Sequence, residues 1–138
     1  MHTLKIPRAL SLFVLSVATS ASAIHFRCFE AEGVKAPIQM KFTFPMYDHQ
    51  PGMVTYRNGK GSIEVEKVSE RADESVSNRP VLITTVWKET VPGGKGGRYE
   101  MDMQGAVVYR MQYRRSDGKK FDFQEVDEVH GDAGCEWK

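Results

Sequence analysis

Beyond residue 23, the side chains that first invite metal or proton-transfer chemistry are His25, His49 and His130, the cysteines Cys28 and Cys135, and an acidic series of Asp122, Glu125, Asp127, Glu128 and Asp132. Two cysteines and three scattered histidines do not make a zinc pattern, which needs closely spaced ligand pairs. The acidic series lacks the D-x-[DN]-x-[DN]-G spacing of a calcium loop and reads as strand exterior and tail. Glu64 and Glu66 stand two positions apart on one strand face, so they look outward together. A glycosidase pair would face across a cleft. Asp48-His49 precedes Pro51-Gly52 in a turn, and no G-x-S-x-G elbow occurs in the sequence. The expectation is a protein that is not an enzyme and carries neither metal nor cofactor.

Cations are better organised. Pro92-Gly93-Gly94-Lys95-Gly96-Gly97 surrounds a lysine with glycine. It lacks the G-x-x-x-x-G-K-[ST] order of a phosphate loop and leads into a strand rather than a helix. A flexible hairpin tip is expected, one that could present Lys95 to a partner's cleft. Arg110, Arg114, Arg115, Lys119 and Lys120 lie on or beside one hairpin. Alternation places Arg110, Arg114 and Lys120 on its outer face, with Arg98 nearby on the adjacent strand. Lys95, Arg98, Arg110, Arg114 and Lys120 are therefore the candidate partner-binding residues, suited to an acidic partner or an anionic ligand. No aromatic is expected on that face, so stacking on nucleic acid is not.

The chain opens with Lys5 and Arg8, an apolar run of about ten residues from Ala9 to Ala18, and the small residues Ala21-Ser22-Ala23. These are the three parts of a cleavable signal peptide spanning residues 1–23, and the run is shorter than the ~20 residues a membrane helix needs. Ile24 rather than cysteine follows the cleavage site, so no lipid anchor is expected. Cleavage takes two of the 19 basic residues and none of the 18 acids, so the remainder lies within one charge of neutral. That balance argues against a nucleic-acid binder. No second apolar run of membrane length follows. A periplasmic or secreted location favours a disulfide between Cys28 and Cys135, one near each end of the mature chain.

The remaining residues read as one β-domain over 24–138. Apolar side chains recur at every second position in Ile38–Phe44, Tyr99–Met103, Val107–Tyr113 and Phe121–Phe123, the mark of half-buried strands. Val81–Val91 reads as a longer, more buried strand. Strands over 24–30, 53–57 and 61–68 bring the number to about eight. Parity predicts the hairpins. A two-residue type I′ turn at Asn58-Gly59 pairs Val54 with Ile63. A three-residue loop Ser116-Asp117-Gly118, with Gly118 left-handed, pairs Tyr113 with Phe121 and Met111 with Phe123. A three-residue loop Met103-Gln104-Gly105 pairs Met101 with Val107 and Tyr99 with Tyr109. Ser69–Asn78 is expected as a long polar loop. Met40, Met46, Met101, Met103 and Met111 are expected inside, with Phe42, Tyr99, Tyr109, Tyr113, Phe121 and Phe123.

Short antiparallel connections suggest an up-and-down barrel of about eight strands or a two-layer sandwich. The disulfide favours the barrel, because there the first strand and the segment after the last are neighbours. A signal peptide, a small barrel and an end-to-end disulfide resemble in outline the small periplasmic inhibitor proteins of Gram-negative bacteria, such as those that block lysozyme. No residue role carries over from that outline. The functional expectation is an exported binding protein that engages or inhibits another protein through its loops. The alternatives are a carrier holding a small apolar ligand among the inner methionines and aromatics, and a structural protein of the periplasm.

Overall fold

The computed structural model describes residues 25–74 and 79–138. The expected signal peptide lies outside the described residues, as do positions 75–78 of the expected polar loop. Eight strands follow in order: β1 (Phe26–Ala31), β2 (Gln39–Thr43), β3 (Gly52–Tyr56), β4 (Ser62–Asp73), β5 (Leu82–Glu89), β6 (Arg98–Gln104), β7 (Val107–Arg114) and β8 (Lys120–Glu125). Each pairs antiparallel with the next and β8 closes on β1, so the fold is a barrel and not a sandwich. Among the described residues no helix is long and apolar enough to cross a membrane.

Alternation produces this wall because every second side chain of each strand must leave water. Met40 and Phe42 on β2, Val54 on β3, Val65 on β4, Trp87 on β5, Tyr99 and Met101 on β6, and Met111 and Phe123 on β7 and β8 meet in one core. The Phe42 ring sits edge-on to both Trp87 and Tyr99. Burying a side chain of this size contributes about 1.5–3 kcal/mol before chain entropy is charged against it. The middle of the barrel is filled, with Phe29, Met40, Phe42, Tyr99, Met101 and Met111 almost wholly inaccessible.

Two hairpin registers are as parity predicts. Val54 faces Ile63, and Tyr113 and Met111 face Phe121 and Phe123, with Gly118 at φ 89°. The turn between β3 and β4 is not type I′, however. It centres on Arg57-Asn58, closed by the Gly59 N–H donating to the Tyr56 carbonyl, and the left-handed glycine is Gly61 rather than Gly59. The register survives because the loop keeps the same residue count between facing strands.

Two β-bulges overturn other expectations. On β7, Asp102 faces Arg110 but Met103 faces Val108, leaving Tyr109 as an extra residue. The loop is therefore two residues, Gly105-Ala106, and Tyr99 pairs with Tyr113 rather than Tyr109. Beyond the bulge the faces exchange: Val108 packs inward, and Tyr109 is 64% exposed. On β4, Val68 is the extra residue, and the strand runs on through Ser69–Asp73 where a loop was expected. Those polar residues stay extended because they pair with the apolar β5, from Ser69 with Val86 to Asp73 with Leu82. Met46 is also not inside. It sits beyond β2 in the loop to β3, half exposed.

The seam closing the barrel is short. β8 shares three register pairs with β1 and four with β7. After β8 a single helical turn at Asp127–Val129 carries the tail back over the outer face of β1. There Phe26, Cys28 and Val129 form a second apolar cluster, and Cys28 is bonded to Cys135 with Cα atoms 5.8 Å apart. The up-and-down order gathers the β1–β2, β3–β4, β5–β6 and β7–β8 connections at one end of the barrel. The β2–β3, β4–β5 and β6–β7 connections stand at the other.

Candidate functional site

The first of these ends is built around an inward-facing acid. Glu89 follows Trp87 by two positions on β5, so the pleat aims it into the barrel, where it is buried. Its Oε1 accepts a 2.6 Å bond from the Tyr113 hydroxyl and a 3.1 Å bond from the Gly97 N–H. The Tyr113 ring stacks on Tyr99 at 4.6 Å, and the Tyr99 and Tyr56 hydroxyls share a 2.7 Å bond. Burial pushes the Tyr56 phenol up to about 12. Burial raises Tyr99 further still, with the neighbouring Tyr56 adding to it. Tyr113 is raised by burial and by its bond to Glu89. These groups pin the glycine loop. A helical turn at Pro92–Gly94 starts it, and Gly97 at its end is buried against the Tyr113 ring. The exposed part of the loop is confined to residues 92–95.

Outside that plug, four cations align. Register places Lys88 of β5 opposite Arg98 of β6, Arg98 opposite Arg114 of β7, and Arg114 opposite Lys120 of β8. All four project outward, because Trp87, Tyr99, Tyr113 and Phe121 beside them point in. At the normal strand spacing the row is about 15 Å long. Like charges placed directly opposite one another are destabilising. No ion pair among the described residues relieves Lys88, Arg98, Arg114, Lys120 or Lys95. Lys95, Arg98, Arg114 and Lys88 line a recess of about 490 Å³ between the glycine loop and the β7–β8 turn. Among the described residues the one acid on its wall is Asp117, whose carboxyl is held at about 2 by hydrogen bonds from Arg115 and the Lys119 backbone.

Four of the five sequence-derived cations, Lys95, Arg98, Arg114 and Lys120, thus gather at one end. Arg110 does not join them. Its guanidinium donates to Asp102 Oδ2 and Glu100 Oε1, each at 2.8 Å. Burial opposes the charge on Asp102, yet bonds from Arg110 and Thr84 hold its carboxyl below the usual range. Lys88 was overlooked in the sequence, and so was Glu89. The signal was available: two-residue alternation from Trp87 puts Glu89 inside and Lys88 outside. The histidines serve elsewhere. His25 stacks on Phe44 at 5.0 Å, and His130 stacks on Phe26 at 4.2 Å with Nε2 3.1 Å from the Phe26 carbonyl oxygen. His25 is lowered by burial, then by Arg27 and His130. His49 lies in an outer cleft beside Glu64 and Glu66.

The opposite end, among the described residues, is more apolar. A hollow of about 490 Å³ is lined by Phe44, Met46, Tyr47, Ile83, Trp87 and Met103. No known protein family, curated protein or solved structure matches this chain.

Proposed function

We propose that this protein is an exported, non-catalytic binding protein whose cationic end docks on an acidic surface of another protein. The observation that carries the reading is the row Lys88–Arg98–Arg114–Lys120, with Lys95 above it. The fold sustains that row although Glu66 of β4, opposite Lys88 at its one end, is the only carboxylate in line with it, and no ion pair among the described residues offsets the charge. Fixed, unpaired charge of one sign accelerates encounter with a complementary surface and selects against like-charged ones. The recess between the glycine loop and the β7–β8 turn gives such a partner a shaped site, and the Glu89–Tyr113 bond holds one wall of it in place. Export is supported by the residue 1–23 leader and by the Cys28–Cys135 bond.

The test is lysine-directed crosslinking of the oxidised mature chain to the exported proteins of its own source, read by mass spectrometry. One stoichiometric partner is expected, joined through Lys88, Lys95 or Lys120. Replacing Arg98→Glu together with Arg114→Glu should weaken that complex more than tenfold. Raising the salt should weaken it further as screening sets in. A partner indifferent to both charge reversal and salt, or the absence of any stoichiometric partner, would overturn the proposal.

A further inference from the structure

We infer that the end of the barrel opposite the cationic row is a binding site for a small apolar molecule bearing a cationic head. Three observations lead there. The first is where space lies. The middle of the barrel is packed solid, whereas the hollow at the mouth holds about 490 Å³, within the range of small-molecule sites. The second is its lining. Met46 (53% exposed), Tyr47 (67%) and Ile83 (36%) leave large apolar side chains in water around it, with Phe44 and Trp87 forming the floor at 6.2 Å edge to face. Large apolar side chains gathered around a concave lining with a few polar groups are the usual make-up of a small-molecule site.

The third observation is charge. Among the described residues, three charged side chains touch the hollow: Lys67, Glu70 and Asp48. The bulge at Val68 turns Glu70 onto the face of Lys67, and the two pair at 3.6 Å. Lys67 also stands 6.0 Å over the Trp87 ring. With those two charges answering each other, the surplus on the lining is the Asp48 carboxylate. It favours a cationic head over an anionic one, and the exposed aromatic face of Tyr47 acts in the same direction.

Trp87 makes the site readable, since it is one of two tryptophans and the other, Trp137, lies in the tail cluster. Decyltrimethylammonium, decanol and decanoate should be titrated separately into the oxidised mature chain below their micelle concentrations. Tryptophan emission and calorimetry follow binding, and circular dichroism follows the fold. Saturable one-to-one binding is expected, with the trimethylammonium about threefold to fivefold tighter than the alcohol, as one exposed charge allows. Decanoate should bind weakest. Asp48→Asn should bring cation and alcohol within about twofold of each other, the surface-charge preference being lost. Ile83→Arg should weaken all three more than tenfold; Met46→Arg, on the loop, makes the same test should Ile83→Arg fail to fold. The inference is overturned if none of the three saturates, if decanoate binds tightest, or if the arginine variants leave binding unchanged.

Discussion

Glu89 holds two different elements at once, because its Oε1 accepts one hydrogen bond from a strand hydroxyl and another from a loop amide. Its neighbours Tyr113, Tyr99 and Tyr56 then form a line of phenols between the recess and the core. All three have phenols raised above the ordinary value of 10.0. The folded chain therefore keeps protons that the unfolded chain releases, and stability falls as pH climbs above about 10. The stabilisation is whole below pH 10 and diminishes as pH rises through the folded-state values. In an alkaline titration followed by tyrosinate absorbance, these three tyrosines should ionise together with unfolding and not before it. Three phenols titrating smoothly at their free value while the fold persists would contradict the packing described for them. The position of Glu89 was legible in principle from Trp87. What alternation could not reveal was that Tyr113 and Gly97 converge on it from two separate elements.

At the scale of the elements, the glycine loop is shaped by contact more than by freedom. A Cβ on Gly96 would lie 2.5 Å from the Glu89 carbonyl oxygen and 2.7 Å from the Glu89 Cβ. Gly96→Ala is expected to push the loop off β5 at a cost of about 1–3 kcal/mol, seen as a lower urea midpoint. An unchanged midpoint would mean the loop is not seated there. Eight strands and two hairpin registers could be read from period two, since a slip by one residue would expose Met111, Tyr113, Phe121 and Phe123 together. The bulges could not. Tyr109 is apolar and fits an unbroken alternation of Val107, Tyr109 and Met111, so its sequence hides the extra residue. On β4 the alternation of Ile63 and Val65 lands next on the polar Lys67 and misses Val68, so the pattern reads as the end of a strand and not as a bulge within one. The cationic row was half visible: parity turned each side chain outward, but only the pairing of four strands brings Lys88 and Lys120 into line with the arginines.

For the molecule as a whole, the Cys28–Cys135 bond closes a loop of 107 residues and supports a seam of few strand pairs. Constraining the unfolded chain over that span is worth up to about 4.7 kcal/mol. Against a total of about 5–15 kcal/mol that share is large. Replacing both cysteines with serine should lower unfolding free energy by about 2–4 kcal/mol in denaturant titrations. A loss under about 1 kcal/mol would show that the second cluster of Phe26, Val129 and Trp137 holds the seam without sulfur.

That covalent bond also decides how the protein answers tension. A pull applied to the residues outside Cys28 and Cys135 travels from one flank to the other through two sulfur atoms, and of the wall's hydrogen bonds only those of the first residues of β1, ahead of Cys28, enter the load path. Nearly the whole barrel, with the recess at one end and the hollow at the other, hangs slack from a short rigid link. Reduction would put every strand in series with the force, and the short seam beside β8 would be the first place to part.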